Sequence, residues 1–189
     1  MATLISEIGQ NGCGDMALNK ELIRLSKSSG ADMAKFQLYD TDKIYAPDSP
    51  FKEQAKQAEL TFQQAQVLFE YGKGIGIEVF FSVFDIERVR WCEDIGVKTY
   101  KVAYSQRNNK ELLASIFTTG KPCIQSGFND YGWMPCKNPL MLLCYPFYPA
   151  TPEIATLSEV DDWDGLSDHF IGLDAAKIAL ARGARIIEK

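Results

Sequence analysis

Apolar positions along the chain change period repeatedly, from two in short runs to three and four in longer ones, and the changes fall at glycines. Five times a stretch of helical spacing ends at a glycine and a β-rich run begins within three residues. The pairs are Gly30 before 33–38, Gly76 before 78–83, Gly96 before 99–104, Gly120 before 122–126 and Gly183 before 185–188. A glycine that closes a helix in the left-handed conformation feeds a short αβ loop of this kind. Upstream of these stops lie plausible starts. Asp15 is placed to cap a helix that buries Leu18, Leu22 and Leu25, and Thr61 with Gln64 makes a capping-box pattern ahead of Ala65, Leu68 and Phe69. Asp85 opens a helix carrying Ile86, Val89 and Cys92; Leu112, Leu113 and Ile116 mark a fourth helix, and 175–182 a further one.

Runs at 4–8, 140–145 and 165–167 bring the candidate strands to eight. Alternation of β and α predicts a parallel sheet, and eight repeats predict an α/β fold of the (β/α)8 TIM barrel type, a single domain over residues 1–189. An open doubly wound sheet is the alternative, but no Gly-x-Gly-x-x-Gly fingerprint follows the first strand. The barrel is minimal. Asn129-Asp130-Tyr131-Gly132-Trp133 reads as a loop in place of helix 5, and the sequence stops at the eighth strand with the final helix missing. Apolar surface left at that gap predicts a homo-oligomer or a partner chain there. Residues 40–59, rich in Asp, Lys, Pro and Gln, form a long βα connection of the sort that covers an active-site mouth.

Composition narrows the function classes. With 20 basic and 25 acidic side chains the net charge is -5, which gives no electrostatic reason to bind nucleic acid or an anionic membrane. The longest apolar stretch, 139–150, is too short for a membrane span and is broken by prolines. Five scattered cysteines without a Cys-x-x-Cys pair argue against a disulfide framework or a structural zinc site and fit a reducing cytoplasm.

Side chains in a barrel strand point alternately to the interior and to the helices. Ala34, Phe36 and Leu38 form the helix-facing set of the second strand, which leaves Lys35 and Gln37 inside. The same reading turns Tyr100 and Val102 outward, and sends Glu7, Ser82, Lys101, Ser126, Ser167, His169 and Glu188 inward. The polar member of each set lies towards the strand's C-terminal end, where barrel enzymes keep their catalytic groups. Two interior lysines require counter-charges, which Glu7 and Glu188 can supply. Two readings stand beside each other. One is an internal ion-pair network; the other is a cradle for a phosphorylated or carboxylated ligand, built from Lys35 and Lys101 with three serine hydroxyls. A lone histidine such as His169 is more often a hydrogen-bonded structural residue than a metal ligand, and its spacing alone does not settle which it is. Cys13, between two glycines, has no histidine near it in sequence to activate it. Tyr145, Phe147 and Tyr148 are candidates for a sugar-binding wall or for packing beneath the rim.

Glu7-Ile8-Gly9 with Asn11 and Gly14-Asp15, then Gly30-Ala31-Asp32, Lys35-Phe36-Gln37, Phe84-Asp85, Lys121-Pro122, Tyr148-Pro149, Gly165-Leu166-Ser167-Asp168-His169 and Ile187-Glu188-Lys189 follow one another along nearly the whole chain. In this order they resemble the N-acetylneuraminate (sialic acid) synthase family. The resemblance implies a barrel that condenses phosphoenolpyruvate with an N-acetylated amino sugar aldehyde, giving a nonulosonic acid and phosphate. It implies that Lys35, Ser82, Lys101, Ser126 and Ser167 bind phosphoenolpyruvate, that Glu7 and Glu188 are the catalytic acidic groups, and that Gln37 and Tyr148 contact the sugar. His169 falls on one of two histidines that hold Mn2+ or another divalent metal, which would polarise the aldehyde oxygen.

The departures from that pattern gather on one side. The second metal histidine would follow Lys189, Leu143 stands in place of another histidine, Pro146 in place of an asparagine, Gln106 of a glutamate and Tyr104 of a serine. No antifreeze-like C-terminal domain follows the barrel. The phosphoenolpyruvate half is thus better preserved than the metal and sugar half. A non-catalytic relative that binds a phosphorylated metabolite or supports a partner subunit remains an alternative, as does an aldolase with a Schiff-base lysine.

Overall fold

A computed structural model describes residues 2–129, 139–151 and 157–189. Eight parallel strands close on themselves in sequence order: β1 (Thr3–Gly9), β2 (Met33–Leu38), β3 (Glu78–Val83), β4 (Tyr100–Val102), β5 (Cys123–Gly127), β6 (Leu140–Cys144), β7 (Gly165–Ser167) and β8 (Ile186–Glu188). Around them lie α1 (Met16–Ser28), the short α2 (Thr41–Ile44) and α3 (Lys52–Ala58), α4 (Phe62–Ile75), α5 (Ile86–Ile95), α6 (Lys110–Thr118) and α7 (Asp174–Ala181). Two 3-10 turns, Tyr104–Gln106 and Leu157–Asp162, follow β4 and β6. The fold is thus the (β/α)8 barrel that the alternating pattern predicts. The proposed replacement of helix 5 by a loop falls mainly on 130–138, outside the described residues.

The local signals act as chemistry requires. Asp15 accepts from the amides of Ala17 and Leu18, Asp85 from Arg88, and Thr61 and Gln64 form the reciprocal capping box. Gly76 and Gly96 end α4 and α5 at φ +77° and +89°, a region that costs other residues strain. Gly30, Gly120 and Gly183 also have positive φ.

Two helical faces differ from the sequence expectation. In α1 the buried residues are Asn19, Ile23 and Ser26, one position along from the leucine stripe, and Leu18 and Leu25 are exposed. Hydrogen bonding sets this rotation: Ser26 Oγ donates to Ser6 Oγ at 2.8 Å, and Asn19 lies against Gly12, where any Cβ would collide with its amide. In α5 Ile86 is exposed while Arg88 is buried, its guanidinium over the Trp91 ring and bonded to Asp85 and Glu87. The strand read at 99–104 is also shorter, because the backbone turns into 3-10 geometry at Tyr104.

The barrel interior is layered. Ile5, Phe80, Ile124, Leu142 and Ile186 belong to one buried cluster, and each lies two residues before Glu7, Ser82, Ser126, Cys144 and Glu188 respectively. Period-two alternation therefore gives each of these strands an apolar floor and a polar residue above it, towards the C-terminal mouth. Outside, Tyr100 reaches α5, its hydroxyl donating to Val89 O and Glu93.

Two glycines bring elements together closely. A Cβ on Gly165 would lie 1.9 Å from Ile186 O, and one on Gly72 would lie 2.3 Å from Val79 Cγ2. Gly165→Ala should destabilise the barrel by about 3 kcal/mol, since neighbouring strand backbone cannot yield. Gly74→Ala, in the same helix as Gly72 but with open space around it, should stabilise by about 0.5–1 kcal/mol. Urea unfolding of both variants checks the pair, and equal effects would contradict this account.

Candidate active site

The strand ends open into a cavity of about 760 Å³. Its base is an ionic socket. The Lys35 ammonium is 2.9 Å from Ser82 Oγ, contacts the Glu7 carboxylate, and lies 3.7 Å from Glu188. Lys101 donates to Ser126 Oγ at 2.8 Å and to Val102 O at 3.2 Å, and lies 3.5 Å from Glu188 Oε1. Ser167 Oγ donates to the same Glu188 oxygen at 2.7 Å. Glu188 thus lies between two buried ammoniums from β2 and β4, while its own strand sits between β7 and β1. The register explains the convergence, because Glu7 pairs with Lys35, Ser82 with Lys101, and Ser167 with Glu188.

Electrostatics divide the two carboxylates. Burial alone would raise the Glu188 pKa, but Lys101 and Lys35, helped by the Ser167 hydroxyl, outweigh it and hold the group down at about 2. Burial raises Glu7 as well; there the opposing attraction of Lys35 is partly cancelled by Glu188, and the pKa stays above the ordinary range. Lys35 is penalised by burial, yet its two carboxylates prevail and its pKa is raised. The interior lysines are thus paired, as an ion-pair network requires, and the pairs face an open cavity.

The remaining sequence candidates lie higher in the cavity. Gln37 Nε2 is 3.4 Å from Glu7 Oε1. Tyr148 is 82% exposed and stacks on the His169 ring, with centroids 3.9 Å apart. Tyr145 is buried and packs against Phe128 and Phe170, so of the proposed aromatic wall it belongs to the layer beneath the rim. Cys13 is exposed and does not line the cavity.

His169 Nδ1 is 2.9 Å from Tyr145 O. A carbonyl only accepts, so Nδ1 carries the proton and Nε2 keeps its lone pair in the neutral ring. Burial lowers the His169 pKa, which favours that neutral form. One ligand-ready imidazole is therefore present. Among the described residues, however, no group of three or more His, Cys, Asp or Glu side chains is placed to hold a metal ion. His169 Nε2 is thus the imidazole nitrogen available to a cation in this cavity, and a bound ion would take its remaining ligands from elsewhere.

Cys144, Asp168 and Lys189 are among the cavity residues to which the sequence assigns no role. Cys144 Sγ lies 3.9 Å from His169 Nε2; the period-two rule applied to β6 would have found it. Asp168 and Lys189 form an ion pair at 2.8 Å, and Lys189 also donates to Phe170 O at 2.7 Å. Asp168 accepts from the Phe170 amide, so this pair braces the segment carrying His169. Both stand in the quoted motifs, but strand parity places them off the inward face.

The NeuB family model matches residues 22–189. The chain belongs to the NeuB family. An uncharacterized protein of Methanocaldococcus jannaschii is 32% identical over 98% of this chain and 60% of its own length. The N,N'-diacetyllegionaminic acid synthase of Legionella pneumophila is 30% identical, again over 98% of this chain and 62% of that enzyme. The crystal structure of N-acetylneuraminic acid (sialic acid) synthetase from Leptospira borgpetersenii in complex with citrate superposes with a TM-score of 0.91 at 25% identity, covering 100% of this chain and 72% of that one. This NeuB-family barrel is thus a distant relative of nonulosonic acid synthases, and it spans about three fifths of the length of the curated relatives it matches. Among the described residues no helix is long and apolar enough to cross a membrane.

Removing the shared carboxylate should be costly. Glu188→Gln leaves two buried ammoniums short of a partner and should destabilise by about 3–5 kcal/mol. Because the folded-state pKa of Glu188 lies below its unfolded value, its stabilisation is complete above about pH 4.5 and is lost as pH falls towards 2. Glu7 has the opposite sign: its raised pKa favours the fold at low pH, and that contribution is lost as pH rises. Urea unfolding at pH 4.5 and 3 should show a steeper loss for the native protein than for Glu188→Gln; equal losses would remove Glu188 from this role.

Proposed function

We propose that this barrel binds phosphoenolpyruvate in the lysine and serine socket and condenses it with an N-acetylated amino sugar aldehyde. The products are a nonulosonic acid and phosphate, made by a cytoplasmic transferase. What carries the reading is the convergence of Lys35 and Lys101 with Ser82, Ser126 and Ser167 at the C-terminal ends of five strands, beneath an open cavity. Ammoniums backed by hydroxyls suit the phosphate and carboxylate oxygens of a small polyanionic ester. The Legionella relative, an N,N'-diacetyllegionaminic acid synthase, supports the same reading.

In this reaction C3 of the enol ester bonds to the aldehyde carbon, whose oxygen takes a proton. Water adds at C2, and phosphate leaves. The residues of this chain bind and orient: Lys35 and Lys101 hold the anionic ester against the floor, and Gln37 and Tyr148 flank the space above it for the sugar. Glu7 and Glu188 lie within reach of the ester and can hold or pass the protons that water addition releases. His169 offers Nε2 to the aldehyde side. Enzymes of the family use a divalent metal such as Mn2+, and His169 is the group proposed to touch it.

Lys101→Met should weaken phosphoenolpyruvate binding about a hundredfold, the result of losing a buried charge-assisted contact. Calorimetry measures this, and native affinity would take Lys101 out of the site. His169→Ala should weaken manganese binding; an unaltered titration would leave His169 as a structural residue. Release of phosphate from phosphoenolpyruvate on adding N-acetylmannosamine or a related N-acetylated amino sugar aldehyde tests turnover. Tight binding of phosphoenolpyruvate with no turnover across such aldehydes would favour the non-catalytic alternative.

A further inference from the structure

The socket is already charge-balanced before any ligand arrives. Lys35 and Lys101 face Glu7 and Glu188, two cations against two anions. A ligand carrying both a phosphate and a carboxylate brings at least two further negative charges into a place where both ammoniums are taken. Excess buried negative charge must be relieved, either by a carboxylate withdrawing from its ammonium or by its taking a proton.

The two carboxylates are not equally able to respond. The Glu188 side chain is 6% exposed and is wedged between both ammoniums and Ser167 Oγ. The Glu7 side chain is 29% exposed, and its other polar neighbour is Gln37, at 3.4 Å. Backbone geometry gives Glu7 room. The register of β1 against β2 shifts between Glu7 and Gly9, Gly9 has φ +53°, and a Cβ there would come within 2.7 Å of Glu7 Oε1. The missing side chain is thus the space that the Glu7 carboxylate uses.

We propose that Glu7 occupies the Lys35 ammonium as an internal stand-in for a ligand anion, and that binding of phosphoenolpyruvate displaces it with uptake of one proton by the Glu7 carboxylate. This rests on the phosphoenolpyruvate reading of the socket. The groups facing Glu7 all bear on its proton affinity. From β2 come Lys35 and Gln37, from β8 Glu188, from β4 Lys101 across the barrel, and from the segment after β6 the Tyr148 phenol. Lys189, at the end of β8, is committed to Asp168. Burial together with the nearby Glu188 already raises the Glu7 pKa despite Lys35. When the ligand takes over Lys35 the main opposing attraction goes, and a further anion arrives. Protonated Glu7 is then a neutral donor beside the bound ester.

One proton bound per ligand makes affinity fall about tenfold for each unit of pH above the Glu7 pKa of the free protein. Phosphoenolpyruvate binding is measured by calorimetry at pH 8, where a phosphate monoester is fully ionised, in two buffers of unlike protonation enthalpy. The native protein should take up about one proton. Glu7→Gln should take up none, bind at least as tightly at pH 8, and show affinity independent of pH between 7.5 and 9. An infrared difference spectrum of the native protein supplies a readout that needs no variant: a carboxylic-acid carbonyl band should appear on adding phosphoenolpyruvate. Saturable binding with no proton uptake and no such band overturns the inference and leaves the phosphoenolpyruvate reading standing. Proton uptake that persists in Glu7→Gln also overturns it, assigning the proton elsewhere. Failure of the native protein to bind phosphoenolpyruvate overturns both.

Discussion

A single carboxylate, that of Glu188, lies between two ammoniums inside the barrel and pairs with both, and much of the structure is arranged so that it can. Lys35 and Lys101 are 3% and 2% exposed, so neither can rely on water for its charge. Glu188 is carried by the strand that closes the sheet between β7 and β1. The strand that closes the barrel is therefore also the one that brings a carboxylate to both cations. The same carboxylate leaves Oε2 without a hydrogen bond, an acceptor held close to where an incoming ligand would sit. A closed strand order and an ion-pair centre thus stabilise each other, at the cost of concentrating buried charge at the mouth.

That concentration is tolerable because of the layer below. Ile5, Phe80, Ile124, Leu142 and Ile186 fill the lower barrel, so the strands are anchored by apolar packing and the polar layer need not hold them. Small residues permit two further close contacts, Gly72 of α4 against Val79 of β3 and Gly165 of β7 against Ile186 of β8. The upper cavity is braced separately, by the Asp168 and Lys189 pair and the Tyr145 carbonyl beneath His169. The socket and the imidazole therefore depend on different supports, and the socket has the fuller complement of partners.

How far this could be read from the sequence depended on the range of the interactions involved. Caps such as Thr61 with Gln64, the glycine stops at Gly76 and Gly96, and the inward set from Glu7 to Glu188 each follow from neighbours within a few residues, or from a strict period of two. Failures came where a distant partner decided the outcome. The leucines at 18 and 25 face water because Ser26 hydrogen-bonds Ser6 and Asn19 packs into the space left by the missing side chain of Gly12, contacts between α1 and the β1 region that no helical periodicity contains. Arg88 is the exception, since Trp91, Asp85 and Glu87, all within three residues, surround its guanidinium, and among the described residues only Asp40, at 4.0 Å, is a distant partner.

The sequence by itself determined the order of elements, the parity of each strand and the chemical identity of the groups turned inward, because these depend on local sterics and on alternation along one strand. Only the tertiary structure decided which ammonium meets which carboxylate, that Glu188 is shared while Glu7 keeps room beside Gly9, and that Cys144 and Lys189 join the same cavity. Those outcomes depend on register between strands far apart in the chain and on distances of a few ångströms. Coulombic and hydrogen-bond energies change steeply over that range, and a one-dimensional pattern does not encode it.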